Sequence, residues 1–435
     1  MKKIIISTAL VLVCSVCFAD VTVKVTSPVR DIKLMNSLDS GGSMLNRGQV
    51  KNNVSVIKVD VLSIFKDFTK DVNDPASYDF RLIDQSLRMN QGGTVCLRIF
   101  QKIKHTYKKP GNLPPADLNK WAGVVEHIIS HFNDGWANGF EKGFNIVELW
   151  NEPDLDYAGD AWKADPHIWK GKEQEYYGFF KMMVDRLKSK FPGMIVGGPA
   201  LAWLDDSPEK FLEYMRDNNV PLDFFSWHCY GDSPEEIAVK AHEMRTVLDK
   251  YGFTGTQSVL DEWNYIINFG DDFVPSIKVI NSIKGAAFVA SVMQVCQNAP
   301  VDILMRYGSR GALSGMSNSN NSRSFGQSYY ALYAWSKLLA CGTQVEAHSD
   351  DKDIYVTAAT NANGRTAILV TRFNEDNSVV LNKSVKIHVP GLEDKEVTAH
   401  FTDSGRLYTE APIDFRNGSL NVNMEPNSFV MIEIR

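Results

Sequence analysis

Two short stretches of the sequence end in a glutamate that could carry out chemistry. The run Ile-Val-Glu-Leu-Trp-Asn-Glu-Pro leads to Glu152, and the run Ser-Val-Leu-Asp-Glu-Trp-Asn carries Glu262. Both runs have the length and composition of β-strands, and carboxylates at two strand ends are the groups that acid/base and nucleophilic chemistry on a sugar bond requires. Either run alone is as readily a turn or a solvated strand end, but together they favour a catalytic site.

The segments around the two glutamates alternate between strand-like and helix-like patterns. Short apolar runs occur at 56–62, 94–100, 144–150, 194–197, 222–227, 258–261 and 301–305, and helical periods occur at 118–132, 173–191, 234–251 and 277–297. This alternation predicts an α/β fold, either a parallel (β/α)8 TIM barrel or a doubly wound sheet. Because no GxGxxG motif follows a strand, we predict a catalytic barrel over residues 38–340. Catalytic groups of such a barrel lie at the C-terminal ends of its strands, as Glu152 and Glu262 do.

The C-terminal part of the chain has a different pattern. Beyond Cys341, short strand-like runs are separated by Asn-Gly and Pro-Gly turns with no helical pattern between them. This is typical of an antiparallel β-sandwich, which we predict over residues 341–435. The alternating run Val-Thr-Val-Lys-Val at 21–25 has no helix after it, so residues 20–37 are predicted to add an N-terminal strand to this accessory domain.

The composition is that of a globular protein, with 435 residues of which 44% are hydrophobic and 23% are charged. The formal net charge of −6 provides no basic field to hold nucleic acid or an anionic lipid surface, so a neutral partner fits best. Beyond the N-terminal segment the cysteines are Cys96, Cys229, Cys296 and Cys341. They are too few and too widely spaced for a disulfide scaffold, so we expect buried thiols, with one bridge possible.

The N-terminus is typical of a cleaved export signal. Met-Lys-Lys is followed by an apolar run over residues 4–16 and by a small-residue site that ends at Ala19. We predict a signal peptide over residues 1–19 and a secreted or periplasmic protein that begins at Asp20. Lipid attachment at Cys17 is the alternative, although Val16 stands where such signals usually carry Gly, Ala or Ser. The run is too short for a membrane span, and no other stretch is long and apolar enough.

A third strand brings polar side chains toward the two glutamates. In the run Asp-Phe-Phe-Ser-Trp-His-Cys-Tyr at 223–230, the period of two puts Ser226, His228 and Tyr230 on one face. If this face points to the barrel axis, His228 and Tyr230 lie at the same mouth as Glu152 and Glu262. A core histidine bonded to the backbone is the alternative.

Several segments resemble those of clan A glycoside hydrolases. The runs at 148–154, 226–230 and 260–264 are most similar to glycoside hydrolase family 39, the β-xylosidase and α-L-iduronidase family. The resemblance implies that Glu152 is the acid/base at the end of strand four and that Glu262 is the nucleophile at the end of strand seven. It also implies that Asn151 bonds the sugar 2-hydroxyl and that Tyr230 bonds Glu262. A retaining site of this kind needs its carboxyls about 5 to 5.5 Å apart.

The chain departs from this family at the end of the eighth strand. Relatives usually carry a tryptophan beneath the sugar, whereas this strand ends in Arg306 and Tyr307. We predict that Arg306 faces the sugar and selects a carboxylate or another electron-rich group, although the period of two does not let both side chains point inward unless the strand has turned. Aromatic residues after strands four and five are candidate sugar-stacking surfaces or loop packing: Tyr157, Trp162, Trp169 and Trp203.

These features predict an exported retaining glycoside hydrolase. We expect an oligosaccharide or polysaccharide substrate with β-linked sugars, such as xylosides or glucosides, cleaved by double displacement with Glu152 and Glu262. The alternative is a non-catalytic carbohydrate-binding protein on a glycosidase barrel, and a purely structural barrel is a third reading. No cofactor or metal is expected, because His127 and His131 have a ligand spacing without the glutamate of an HExxH motif. The predicted substrate-binding residues are Asn151, Trp162, His228, Tyr230, Arg306 and Tyr307.

Overall fold

A computed structural model describes residues 18–40, 53–61, 64–89, 94–99, 117–157, 163, 168–309, 311–318, 321–393 and 395–435. Eight parallel strands form a closed barrel in sequence order, after a first strand, β1 (Phe18–Asp31), that belongs to a separate sheet. The barrel strands are β2 (Leu34–Asp39), β3 (Val56–Asp60), β4 (Thr94–Ile99), β5 (Ile146–Leu149), β6 (Ile195–Leu201), β7 (Phe224–Gly231), β8 (Gln257–Tyr265) and β9 (Ile303–Tyr307).

The barrel interior changes from apolar to polar along the strands. Its N-terminal layer is formed by Val56, Cys96, Phe224, Val259 and Met305. Side chains two residues apart on a strand share a face, so the next interior layer follows directly from the sequence. That layer holds Lys58, Arg98, Ser226, Asp261 and Tyr307. The C-terminal end of the barrel is therefore a polar mouth.

Helices cover the outside of the barrel. They are α1 (Arg81–Met89), α2 (Leu118–Asn133), α3 (Asp154–Tyr157), α4 (Glu173–Lys190), α5 (Ser207–Asp217), α6 (Pro234–Lys250), α7 (Phe273–Ile280), α8 (Ile283–Asn298) and α9 (Gln327–Cys341). In α2, Trp121, Val125 and Ile129 recur every fourth residue and are buried against the strands. The helix begins where the Asp117 side chain accepts the N–H of Lys120 at 3.0 Å.

The segment 277–297, predicted as one helix, contains a break. Helices α7 and α8 meet at an angle of 82°. A β-carbon on Gly285 would lie 2.4 Å from the carbonyl oxygen of Val279, so this close approach requires glycine. Helix α8 is buried on nearly all sides because it lies between the barrel and the second sheet, where Gln294 Nε2 donates to the carbonyl of Leu369 at 2.9 Å. Among the described residues no single helix is long and apolar enough to cross a membrane, and α7 with α8 meets that test only as a bent pair.

The remaining strands form a hairpin and a separate, mostly antiparallel sheet. They are β10 (Ser317–Asn318), β11 (Asn321–Phe325), β12 (Thr343–Ser349), β13 (Ile354–Thr360), β14 (Thr366–Arg372), β15 (Lys383–His388), β16 (Val397–Thr402), β17 (Thr409–Ala411), β18 (Phe415–Arg416), β19 (Ser419–Met424) and β20 (Ser428–Ile434). β10 pairs with β11, and the order of the ten-stranded sheet is β17-β16-β20-β14-β13-β12-β1-β15-β19-β18. Its apolar side chains form a core of their own. The predicted fold class, a TIM barrel with an accessory antiparallel domain, is confirmed. The accessory strands, predicted as a β-sandwich, are hydrogen-bonded into one ten-stranded sheet.

The N-terminal boundary differs from the predicted one. β1 pairs antiparallel with β12 and parallel with β15. β2, which begins at Leu34, pairs with β3 and β9, so residues 34–37 belong to the barrel. Residues 1–17, which carry most of the predicted leader, lie outside the described residues.

The cysteines Cys96, Cys229, Cys296 and Cys341 are free thiols in the structure.

Candidate active site

The two glutamates singled out in the sequence lie together at the mouth of the barrel. Glu152 follows β5, the fourth barrel strand, and Glu262 lies near the end of β8, the seventh. One oxygen of each carboxylate and one ring nitrogen of His228 lie within 4.8 Å of one another. Carboxyls this close can act directly on one glycosidic carbon and its leaving group, without the wider gap that an inverting enzyme keeps for a water molecule.

Glu152 is positioned by a strained turn. Trp150 and Glu152 have positive φ angles of 77° and 46°, which residues other than glycine rarely adopt. The Trp150 N–H donates to the carbonyl of Ile99 at 3.0 Å, and the Glu152 N–H donates to that of Ala200 at 2.8 Å. The Trp150 ring is fully buried among other aromatic rings. Strain of this kind costs about 1 to 3 kcal/mol per residue and is characteristic of functional sites, so the surrounding packing must offset it.

Glu262 is positioned by an irregularity in strand pairing. Between β7 and β8, Trp227 pairs with Leu260 and His228 pairs with Glu262, which leaves Asp261 as the extra residue of a bulge. An unbroken strand would point Asp261 and Glu262 to opposite faces. The bulge turns both carboxylates toward the barrel interior, where Asp261 is fully buried and Glu262 is 8% exposed.

His228 and Tyr230 contact the two carboxylates at this mouth. His228 Nδ1 lies 2.8 Å from Glu152 Oε1, and its Nε2 lies 3.5 Å from Asp261 Oδ2 and 3.9 Å from Glu262 Oε2. The Tyr230 hydroxyl donates to Glu262 Oε1 at 2.6 Å. Among the described side chains, Glu152, His228 and Glu262 are also the one cluster whose spacing could hold a metal ion. In the geometry seen here Glu152 is hydrogen-bonded to His228, and Glu262 is hydrogen-bonded to Tyr230.

The charges around His228 set the resting protonation of the site. Burial lowers the pKa of His228, but the negative charges of Glu262 and Asp261 raise it well above its usual value. Burial raises the pKa of Glu152, yet the hydrogen bond and positive charge of His228 more than reverse this and leave the pKa of Glu152 lowered. Burial raises the pKa of Glu262 to about 7, and the negative charge of Glu152 acts in the same direction. The positive charge of His228 opposes this rise only in part. At rest, His228 is therefore the protonated partner of Glu152.

A buried ion network lies beneath the glutamates. Lys58 Nζ lies 2.9 Å from Asp39 Oδ2 and 3.5 Å from Glu148 Oε2, and it donates to Asp261. Burial and the charge of Asp261 raise the pKa of Glu148 to about 8, so Glu148 is largely protonated at neutral pH. Burial also raises the pKa of Asp261, but the positive charges of Lys58 and His228 outweigh burial and leave this pKa lowered.

Arg98 connects this network to the residues at the mouth. Its guanidinium donates to Asp60 Oδ1 at 2.6 Å and to the side-chain oxygen of Asn151, and it lies 3.6 Å from Glu262 Oε2. Because Arg98 occupies the oxygen of Asn151, the amide NH2 of Asn151 points toward Glu152 Oε2, 3.3 Å away. Asn151 is thus a hydrogen-bond donor at the mouth.

Lys58, Arg98, Glu148 and Asp261 were not among the residues predicted for the site. A signal for them is present in the sequence, since each is a charged residue inside an apolar strand run, such as Val-Ile-Lys-Val or Cys-Leu-Arg-Ile. Charged side chains are almost never fully buried unless they are paired. Charges at inward positions of several strands therefore indicate a shared ion network.

The prediction that Arg306 faces the sugar is wrong. Met305 and Tyr307 occupy the inward positions of β9, so Arg306 points away from the barrel axis. Arg306 is fully buried, donates to the carbonyl oxygen of Ser314 at 2.5 Å and lies 3.3 Å from the side-chain oxygen of Asn264. Burial lowers the pKa of Arg306 to about 9. Its role is to hold the loop that follows β9.

The aromatic candidates divide into packed and exposed residues. Tyr307 is partly exposed, and burial together with the charge of the glutamate on β8 raises its pKa to about 12. Tyr157 and Trp169 are buried in the core, which identifies them as packing residues. Trp203 is 52% exposed in the loop after β6 and is available for stacking. Trp162 lies outside the described residues.

Comparison with known sequences connects this site to a family. The sequence model of the family described as Glycosyl hydrolases family 39 matches residues 60–325. A β-xylosidase of Geobacillus stearothermophilus is 28% identical over 269 residues, which cover 54% of this chain and 49% of that protein. A β-xylosidase of Caldicellulosiruptor saccharolyticus is 27% identical over 136 residues, covering 31% of this chain and 25% of that protein. The matched region thus spans half or less of the length of these curated relatives.

Solved structures share the whole fold. A glucosidase from Croceicoccus marinus superposes with a TM-score of 0.77 at 20% sequence identity. The superposition covers 96% of this chain and 99% of the glucosidase chain. A monomeric β-xylosidase from Caulobacter crescentus CB15 has a TM-score of 0.69 at 15% identity, with coverage of 96% and 99%. At such identities the likeness shows the fold alone. The sequence match extends over more than half of the chain, and the chain belongs to glycosyl hydrolases family 39.

Proposed function

We propose that this protein is an exported retaining glycoside hydrolase that cleaves β-xyloside or β-glucoside bonds by double displacement. The observation that carries the proposal is the separation of Glu152 and Glu262, whose nearest carboxylate oxygens lie within 4.8 Å. This agrees with a retaining site, in which the second carboxylate is the nucleophile. The β-xylosidases similar in sequence to this chain support a xyloside as the substrate. The presence of both carboxylates, with His228 beside Glu152 and Tyr230 beside Glu262, disfavours a non-catalytic binding protein, which needs neither an acid nor a nucleophile.

In the first step, Glu262 attacks the anomeric carbon while Glu152 gives a proton to the departing oxygen. The glycosidic C–O bond breaks, an ester forms between the sugar and Glu262, and the leaving group departs as an alcohol. Two contacts support the ionised form of Glu262. These are the hydrogen bond from Tyr230 at 2.6 Å and the guanidinium of Arg98 at 3.6 Å.

The proton that Glu152 donates comes from His228, whose Nδ1 lies 2.8 Å from Glu152 Oε1. The charge of Glu262 is the main interaction that holds this proton on His228. That charge disappears as Glu262 forms the ester, so His228 becomes a stronger acid at the moment when the leaving oxygen needs a proton. Proton transfer and nucleophilic attack are thereby coupled.

In the second step, Glu152 is ionised and takes a proton from a water molecule that attacks the ester, and it passes this proton to His228, which restores the resting state. The bond between the sugar and Glu262 breaks, and the sugar leaves with its original configuration. We assign the amide NH2 of Asn151 to the sugar 2-hydroxyl, since Arg98 holds the oxygen of Asn151 and leaves the NH2 directed to the mouth.

Proton NMR of the reaction with 4-nitrophenyl β-xyloside, and in parallel with the β-glucoside, tests the proposed function. We expect the β anomer of the free sugar to form first, before mutarotation, and we expect Glu262→Gln to abolish sugar release. First release of the α anomer would refute double displacement. Binding of glycan by the parent protein without any release over long incubation would identify a carbohydrate-binding protein instead.

Export is proposed from the N-terminal sequence pattern. Cleavage before Asp20 would remove the first two residues of β1, Phe18 and Ala19, and would leave the rest of this strand to pair with β12 and β15. Mass spectrometry of the protein recovered from the periplasm or the medium is expected to give Asp20 as the N-terminus. A full-length protein found in the cytosol would contradict export, and a lipid mass on Cys17 would establish the alternative anchor.

A further inference from the structure

An exposed phenylalanine lies beside the partner of the proposed nucleophile. Phe269 is in the loop between β8 and α7, and 67% of its surface is exposed. Its ring centre lies 5.3 Å from that of Tyr230 in an edge-to-face arrangement at 81°, and 5.9 Å from that of Phe273 in a stacked arrangement at 26°. Tyr230 donates its hydroxyl to Glu262. A single tyrosine ring thus separates Phe269 from the reacting carboxylate.

The loop that carries Phe269 is fixed by its own hydrogen bonds. The side-chain oxygen of Asn268 accepts the N–H groups of Gly270 at 2.9 Å and Asp272 at 3.2 Å, and its NH2 group donates to the Asp272 carboxylate at 2.6 Å. The N–H of Ile267 donates to a serine hydroxyl of α7 at 3.0 Å. The ring is therefore held in position before a ligand arrives, which lowers the entropic cost of binding.

The chemistry around Phe269 indicates a neutral, flat ligand. The chain carries a net charge of −6, and the mouth holds the carboxylates of Glu152 and Glu262, so an anionic ligand is disfavoured. The faces of Phe269 and Phe273 offer an apolar surface that fits the C–H face of a sugar ring or an aromatic ring. Asn151 and Glu262, which are assigned to the cleaved sugar, are each 8% exposed, whereas Phe269 is 67% exposed. A ligand ring that contacts Phe269 at this rim is therefore the ring beside the cleaved sugar.

We propose that Phe269, backed by Phe273, is the platform of a binding site for the ring next to the cleaved sugar. This ring is a second sugar residue or an aromatic aglycone, which share a flat apolar face. The proposal rests on the proposed function and adds to it a preference for substrates that contain two or more rings.

Binding to the Glu262→Gln protein, which cannot form the glycosyl ester, tests this proposal. Dissociation constants are measured by calorimetric titration of xylose, xylobiose and 4-nitrophenyl β-xyloside, with glucose and cellobiose as the hexose pair. Phe269→Ala is expected to lower the affinity for the two-ring ligands, relative to the single sugar, by about three- to tenfold, and Phe269→Trp is expected to preserve it. Val274→Ala is the matched control, since Val274 is 60% exposed on α7 and is expected to leave this ratio unchanged.

The outcomes separate the platform from the proposed function. A selective loss for xylobiose assigns the second ring to a sugar, a selective loss for the nitrophenyl glycoside assigns it to an aromatic aglycone, and both support the platform. An unchanged ratio in Phe269→Ala, or an equal loss for single sugars and two-ring ligands, overturns the platform while the proposed function stands. If the Glu262→Gln protein, shown by circular dichroism to be folded, binds none of these sugars, the proposed function fails and the platform fails with it.

Discussion

Replacing Lys58 by methionine probes the buried ion network beneath the site. Methionine occupies a similar volume without the charge, and it leaves the carboxylates of Asp39 and Asp261 buried without the cation that they share. Removing one partner of a buried ion pair costs about 3 to 5 kcal/mol. An unfolding entropy of about 2.1 cal/mol/K per residue gives about 0.9 kcal/mol/K for 435 residues, so the melting temperature is expected to fall by about 3 to 6 °C if the chain unfolds as one unit.

This loss of stability depends on pH with a defined sign. The folded-state pKa of Asp261 is lowered, and after burial the charge of Lys58 is the largest influence on it. A depressed carboxyl pKa stabilises the fold above the unfolded-state pKa, about 3.9 for aspartate, and this stabilisation is lost as the pH falls toward the folded-state value. The difference between the parent and Lys58→Met is therefore largest near pH 7 and smaller below about pH 4.

Differential scanning calorimetry at pH 7 and at about pH 3, inside the window in which this stabilisation is lost, measures this difference. Lys240→Met is the matched control, because Lys240 forms an exposed pair with Glu243 at 2.8 Å, and such pairs contribute less than about 1 kcal/mol. An unchanged melting temperature of Lys58→Met at pH 7 would refute the stabilising role of the network. A drop of the same size at both pH values would show that the loss arises from packing and not from charge.

Three further predictions concern the reaction and the loop after β9. Glu152→Ala is expected to slow xylobiose hydrolysis by about 100- to 10,000-fold but to affect 4-nitrophenyl β-xyloside much less, and equal losses would show that Glu152 is not the acid. The acidic limb of the kcat/KM profile is expected near pH 7, because Glu262 must be ionised to attack. In Glu152→Ala, assayed with the nitrophenyl substrate, this limb should move to lower pH, because the charge of Glu152 that raises the pKa of Glu262 is gone. An unmoved limb would contradict the electrostatic coupling between the two glutamates. Arg306→Lys is expected to cost about 1 to 3 kcal/mol of stability, measured by thermal unfolding, because a single ammonium group cannot reproduce the two donors that the guanidinium directs to Ser314 and Asn264. The KM values for uronic and neutral glycosides should change equally, and a selective rise for uronic substrates would show that Arg306 contacts the sugar.

The parts of the fold that follow from local pattern could be predicted from the sequence. The strand and helix periods predict the barrel, and the Asn-Glu-Pro run places Glu152 at a strand end because proline stops the regular structure there. Alternation along β7 brings His228 and Tyr230 to the mouth, and the same alternation along β9 argues against two inward side chains at Arg306 and Tyr307. These features depend on neighbours in the chain.

The parts that depend on contacts between distant segments could not be predicted. The bulge at Asp261 exists only in the pairing of β8 with β7, and the positive φ at Trp150 depends on hydrogen bonds and packing from other strands. The break before α8 depends on the fit of Gly285 against Val279. The role of Lys58 likewise required knowing which carboxylates three other strands bring to it.

The identity of the residue that bonds to the sugar is the central claim, and covalent trapping tests it most directly. The 2-fluorine of 2,4-dinitrophenyl 2-deoxy-2-fluoro-β-xyloside destabilises the oxocarbenium-like transition states of both steps, while the good leaving group restores the rate of the first step only. The glycosyl ester should therefore accumulate, and peptide mapping should find the added mass on Glu262. A label on Asp261 or Glu152, or release of a product with inverted configuration and no label, would contradict the assignment of Glu262 as the nucleophile.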